Sequence, residues 1–259
     1  MADGWKRRGG ALILLGVLTW CAVSAAWAQT TSGAIVTPMQ TPMTAQKPSP
    51  VVIELFSSQA CTYCPAADAY MADLLKQEGV IGLSCHIDYF DVQHGSLSKK
   101  FCTARQKDYA EKMKLKSVYT PQMVINGHMD AIGYEPGKVS IAVLRARSEK
   151  MAEIAIRPLN DGAYAYAVPP WVENTGGITL WVAMFDKPHT LTVAEGGNRG
   201  KKLTYHNIVN ALTDIGEWDG TPNEKTIMPV MNAGAAGFAV LAQENATGKI
   251  VAAGVFNRP

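Results

Sequence analysis

With 259 residues, 47% of them hydrophobic, the chain is long enough for one large or two small folded domains. Its 24 Lys+Arg and 22 Asp+Glu give a net charge of +2. No basic tract is long enough to follow a phosphate backbone, so nucleic acid is excluded as an expected partner.

Residues 1–28 read as a secretory signal peptide. Lys6, Arg7 and Arg8 precede the apolar run 11–18, and Ala26-Trp27-Ala28 places a small-x-small cleavage site before Gln29. The run is short for a membrane anchor. Trp20 before Cys21 is too large for a lipid-attachment site, and the context of Arg7-Arg8 is poor for twin-arginine export. The expected product is exported, periplasmic or secreted, with no membrane association after cleavage. Cleavage removes three basic side chains and one acidic one, which leaves the mature chain formally neutral. Cysteines 61, 64, 85 and 102 remain, and an even count in an oxidising compartment favours disulfides. Residues 29–50 are rich in Thr, Pro and Gln and read as a flexible linker. Within it Thr37-Pro-Met39-Gln40 and Thr41-Pro-Met43-Thr44 form a small tandem. The two thioethers are either ligands for a soft metal such as Cu(I) or incidental to a flexible arm.

Residues 51–56 are apolar and β-branched, which predicts a buried strand. The spacing of Ala67, Tyr70, Met71, Leu74 and Leu75 predicts a helix over 64–78, with Pro65 in its first turn and Gly79 ending it. A strand over 80–90 and a helix over 96–116 follow. Residues 119–127 end in Asn126-Gly127, a hairpin signal with a return strand over 129–132. Val139, Ala142, Val143 and Ala146 mark one face of a third helix over 139–151. Cys61 and Cys64 therefore fall between the first strand and the first helix.

This order, with Cys-x-x-Cys at the helix start and Thr120-Pro121 before the hairpin, resembles the thioredoxin fold, a mixed sheet flanked by helices. In that fold the proline is cis and faces the cysteines. Residues 54–68, 86–91, 104–106, 119–127 and 198–209 are further similar to a family of secreted bacterial proteins known as domain of unknown function 1223. Because the function of that family is undefined, the resemblance speaks to fold more than to activity.

A thiol reacts as its thiolate, which the N-terminus of a helix stabilises. Cys61, at or before the helix start, is expected to be an exposed nucleophile, and Cys64, one turn inside, to resolve the mixed disulfide. The resemblance implies that Thr120 and Pro121 position an extended substrate. The strand end at 86–91 is expected near Cys61, because ligands gather at the carboxyl edge of parallel strands. Asp88 or His86 would manage a proton there, while His94 reads as solvated. The bland alternative for the pair is a closed structural disulfide. Cys85 and Cys102 lie on the second strand and second helix, which pack together in the resembled fold. They are candidates for a structural disulfide, with two buried thiols or a second redox relay as alternatives. No organic cofactor is expected. Cys61, Cys64 and His86 make a conceivable Cu(I) set, whereas zinc lacks an evident fourth ligand.

Beyond residue 152 the pattern becomes strand-like at 155–158, 163–168, 178–185, 191–193, 238–242 and 250–256, with turns at Asn160-Asp161-Gly162 and 244–248. This predicts an all-β, sandwich-like region over 153–259, after a thioredoxin-like domain over 51–152. Residues 203–215 fit a strand or a helix. The glycine-rich loop 195–200 is either a long turn or a backbone cradle for an anion or a partner's peptide.

The leading expectation is a thiol–disulfide oxidoreductase acting on thiol- or disulfide-bearing proteins or small molecules. A non-enzymatic binding module and a Cu(I) carrier are the alternatives.

Overall fold

The computed structural model describes residues 48–90, 96–149, 151–172 and 176–259. The signal-peptide, methionine-tandem and His94 expectations lie outside them, as does the linker up to residue 47. Among the described residues no helix is long and apolar enough to cross a membrane.

The chain is mixed α/β, with several sheets and few helices. Strand β1 (Val51–Ser57) is buried along its whole length. It leads through the cysteine turn into helix α1 (Cys64–Leu74). Strand β2 (Val80–His86) pairs parallel to β1 and is followed by helix α2 (Lys100–Lys112). Strands β3 (Gln122–Ile125) and β4 (Met129–Ile132) form the expected hairpin. At its turn Asn126 (φ 48°) and Gly127 (φ 72°) both adopt the left-handed conformation that an Asn-Gly turn requires. Helix α3 (Pro136–Ser148) closes this region, and the sheet order is β2-β1-β3-β4.

The remaining strands build three further sheets. Strand β5 (Ala152–Glu153) runs parallel to the last strand, and β6 (Ala155–Pro158) turns back through residues 160–162 into β7 (Tyr164–Val168). Strand β8 (Ile178–Asp186) is long, and β9 (His189–Thr192) pairs only with β10 (Lys202–Tyr205). Strands β11 (Val209–Trp218), β12 (Asn223–Ile227), β13 (Ala235–Glu244) and β14 (Ile250–Asn257) complete the chain. Sheets of order β11-β8-β13-β14-β5 and β12-β7-β6 result. The ambiguous stretch 203–215 is two strands broken at Asn207 (φ 48°), which stops one run and starts another. Strand β12, rich in Asn, Glu, Lys and Thr, lacks the apolar alternation that would have revealed it.

Packing follows from β1, whose side chains alternate between two apolar layers. Val51, Ile53 and Leu55 join Met71, Leu74, Val139 and Val143 of α1 and α3. Val52 and Phe56 join Tyr109 of α2 and Phe185, Leu241 and Ala253 of the five-stranded sheet. One continuous core thus draws on residues from both sides of position 152. A further core, with Tyr166, Leu180, Trp218 and Val240, lies between the five- and three-stranded sheets.

Cys85 of β2 and Cys102 of α2 form a disulfide inside the second of these layers. Replacing both by Ala removes a crosslink between positions 17 apart. A stability loss of about 3 kcal/mol in urea unfolding is expected. An unchanged midpoint and slope would rule out the stapling role.

Candidate functional site

Because β1 and β2 are parallel, their carboxyl ends meet at one edge, with Ser57 opposite His86. The chain leaves β1 there and turns through residues 58–63 before α1 begins at Cys64, whose N–H donates to the Cys61 carbonyl (3.1 Å). Strand β3 pairs with β1 so that Gln122 faces Phe56, which brings the preceding residues to the same edge. The Thr120–Pro121 peptide bond is cis.

Four groups converge here. The Cys61 thiol donates to the Thr120 carbonyl (3.7 Å), and Cys64 Sγ lies 3.3 Å from Thr120 Oγ1. The Thr120 hydroxyl also donates to the Phe56 carbonyl (2.9 Å). Cys64 is fully buried, and burial pushes its thiol well above the ordinary cysteine range. Its hydrogen bond to Cys61 pushes the same way, while contacts with Thr120 and the buried Ser57 hydroxyl oppose them.

Around the sulfurs the surface is aromatic. Tyr63, 64% exposed between the two cysteines, stacks on Tyr134 with ring centroids 5.3 Å apart. Tyr89 donates to Gln106 Oε1 (3.1 Å). Burial lifts its phenol to about 12, the Gln106 hydrogen bond opposing and the nearby Cys64 and Cys61 adding to the rise. Gln106 in turn donates from Nε2 to the Tyr119 carbonyl (2.7 Å) and to Gln122 Oε1 (2.9 Å), fixing the segment that carries Thr120 and Pro121.

Several expectations need correction. Cys61 is only 7% exposed, so it is not the open nucleophile its place in the sequence suggested. Residues 195–200 lie against the cysteine turn. Gly197 N–H donates to the Ala60 carbonyl, and the buried Asn198 amide donates to the carbonyls of Gln59 and Cys61. Asp88 is tied to α2: its Oδ1 accepts from the Thr103 hydroxyl (2.5 Å) and its N–H donates back to the same oxygen (3.0 Å). His86 is buried, its ring edge-on to Tyr205 at 4.9 Å. Cys61, Cys64 and His86 do not assemble into a metal centre. Among the described residues no group of three or more His, Cys, Asp or Glu is placed to hold an ion.

Sequence reasoning missed Asn198, Gln106 and Tyr89. All three fall in the segments that carry the family resemblance (86–91, 104–106 and 198–209), which marked the stretches without assigning these side chains a role.

These features define a mixed α/β protein with paired cysteines at a helix start, facing a cis-proline segment. Residues 52–243 match the family described as protein of unknown function (DUF1223), and the chain belongs to that family. The match takes in the cysteine pair, Thr120-Pro121 and the 195–200 loop. The chain is also similar to the crystal structure of protein AGR_C_4864 from Agrobacterium tumefaciens. The TM-score is 0.69 at 28% identity, over 82% of this chain and 96% of that one. No curated protein matches it.

Proposed function

We propose that this chain is an exported, thioredoxin-like thiol–disulfide oxidoreductase acting on a thiol- or disulfide-bearing protein or small molecule. The observation that carries the reading is the convergence of Cys61 and Cys64 at the start of α1 with the cis Thr120-Pro121 segment. In the reducing direction the Cys61 thiolate attacks one sulfur of a substrate disulfide, and the other sulfur leaves as a thiolate that takes up a proton. Cys64 then gives up its proton and attacks Cys61, which expels the second substrate sulfur. The substrate gains two electrons and the pair becomes a disulfide. Oxidation of a dithiol is the same sequence reversed, and a second dithiol or disulfide resets the protein.

Cys64→Ala removes the resolving sulfur while Cys61 stays in place. Incubation with a disulfide substrate is expected to trap a mixed disulfide, visible by intact mass and mapped to Cys61. Cys61→Ser should trap nothing. Failure of the oxidised wild-type protein to exchange with glutathione or reduced thioredoxin would sink the proposal.

The near-complete burial of both sulfurs favours a second reading, a binding module whose closed pair never turns over. It requires a reduction potential below about −300 mV, in the range of structural disulfides. A redox titration of the purified protein separates the two.

A further inference from the structure

We infer that the tip of the β9–β10 hairpin is a seated cap that selects by size what reaches Cys61, with Asn198 as its pin. The inference deepens the redox reading and rests on it for its biological meaning. Its physical content, access to one sulfur, can be measured without turnover.

The root of the hairpin is anchored beside the four-stranded sheet. Immediately after β10, Asn207 donates from Nδ2 to the Gly82 carbonyl (2.9 Å) and accepts at its own carbonyl from Ser84 N–H (2.9 Å), extending the β2 edge. From that root the two short strands project toward the cysteine turn. Their connection makes a 3-10 turn at Gly196–Asn198 directly on it.

The seat is built from donors. Gly197 N–H bonds the Ala60 carbonyl at 3.0 Å. The two Asn198 amide hydrogens are divided between the carbonyls of Gln59 (3.0 Å) and Cys61 (2.6 Å). Three successive carbonyls, 59 to 61, are thereby satisfied by a loop more than 130 positions away in the chain. The Asn198 side-chain oxygen accepts from Lys201 Nζ (3.0 Å), so all the polar atoms of this fully buried amide are used.

The approach is closer than side chains allow. A Cβ on Gly196 would lie 2.5 Å from Ala60 Cβ, and one on Gly197 would lie 2.2 Å from Thr62 Oγ1. Gly196 also has φ +77°, where only glycine sits without strain. The two glycines thus let the tip lie flat on the turn that holds the nucleophile.

Cys61 is 7% exposed as a residue beneath such a seat, and in this scheme small disulfides and thiols reach its sulfur with the tip in place. A polypeptide disulfide, which must bring its backbone alongside Thr120-Pro121, reaches it only when the tip lifts. The contacts to be broken are few, hydrogen-bonded and local, which makes opening a sub-global event rather than unfolding. Asn198 is a positioning and specificity-determining residue in this scheme and takes no part in bond exchange.

The test uses reduced full-length mature protein and two alkylating probes, iodoacetamide and a polyethylene-glycol maleimide, with modification at Cys61 read by peptide mass. Each probe is compared between wild type and variant, which cancels intrinsic reactivity. Asn198→Asp keeps the shape but replaces both donors with an acceptor facing two carbonyls. Losing the two hydrogen bonds is expected to raise labelling by the bulky probe about tenfold while the small probe changes little. Gly197→Ala, which crowds Thr62 directly, should act in the same direction. If either variant fails to fold, the other decides. Equal fold-changes for both probes, or none in a folded variant, would overturn the cap. Loss of stability with an unchanged probe ratio would mean that Asn198 serves structure alone. Size-selective release without any thiol exchange would uphold the cap and sink only the redox reading.

Discussion

Arg105→Leu is expected to lower the unfolding free energy by about 3–5 kcal/mol, measured by urea denaturation at neutral pH. Arg105 is buried on α2, and its guanidinium holds both oxygens of Glu54 on β1, at 2.5 Å from Nε and 3.0 Å from Nη2. Burial alone would ease its proton off, but Glu54, Tyr109 and Asp108 together outweigh this and the net direction is upward. Tyr109 donates its hydroxyl to Glu54, and burial keeps that phenol protonated well above its usual range. Arg105 also donates from Nη1 to Gln243 of β13 (3.1 Å), so one network ties α2 and β1 to the five-stranded sheet. Removing the cation leaves a carboxylate in a dry site with a single hydroxyl donor, and that uncompensated group is the main cost. Glu54→Gln added to Arg105→Leu should recover part of the loss, because the buried charge goes with its partner. A loss below about 1 kcal/mol, the usual worth of an exposed pair, would show that the network adds little.

The second large effect is in pH. Burial and the hydrogen bond to Cys61 hold the Cys64 thiol far above its unfolded value of about 8.5. If Cys64 resolves mixed disulfides, only its thiolate reacts, and that fraction grows about tenfold per pH unit below its pKa. In the mixed disulfide Cys61 has no proton or charge to contribute, but burial, the largest cause, persists, so resolution is expected to speed up about a hundredfold from pH 7 to 9, with no plateau. A plateau near pH 8 would show that Cys64 ionises near its unfolded value in the mixed disulfide and would overturn the argument from burial.

The same shift predicts a stability change in the reduced protein. Above about pH 8.5 the unfolded chain releases the Cys64 proton while the folded chain keeps it. Stability then falls as pH rises, by up to about 1.4 kcal/mol per unit from this group. Cys64→Ala should flatten that slope, and an identical slope in the variant would exclude Cys64 as its origin.

Local chemistry made much of the molecule legible. Residues 51–56 read as a buried strand because five of the six are apolar, three of those β-branched, and Glu54 alone is polar. Asn126-Gly127 reads as a tight turn because its two left-handed positions suit those residues. Pro65 opens a helix because its missing N–H costs nothing there. With that element order, the resemblance to the thioredoxin fold implied that Thr120-Pro121 would face the cysteine pair.

While the resemblance implied the meeting of Cys61, Cys64, Thr120 and Pro121, what the sequence by itself determined was the type and order of the elements through the third helix. Those depend on periodicity, turn chemistry and strand direction, all encoded within a few residues of each other. Only the tertiary structure decided how accessible Cys61 is, where Glu54 finds its cation, and that β9 and β10 leave the larger sheets and their tip lies against the cysteine turn. Asn198 meets Gln59 across 139 positions, and Arg105 meets Gln243 across 138. Contacts of that range are set by how whole layers pack, and no local pattern around a Gly-Gly-Asn loop says which surface it will land on.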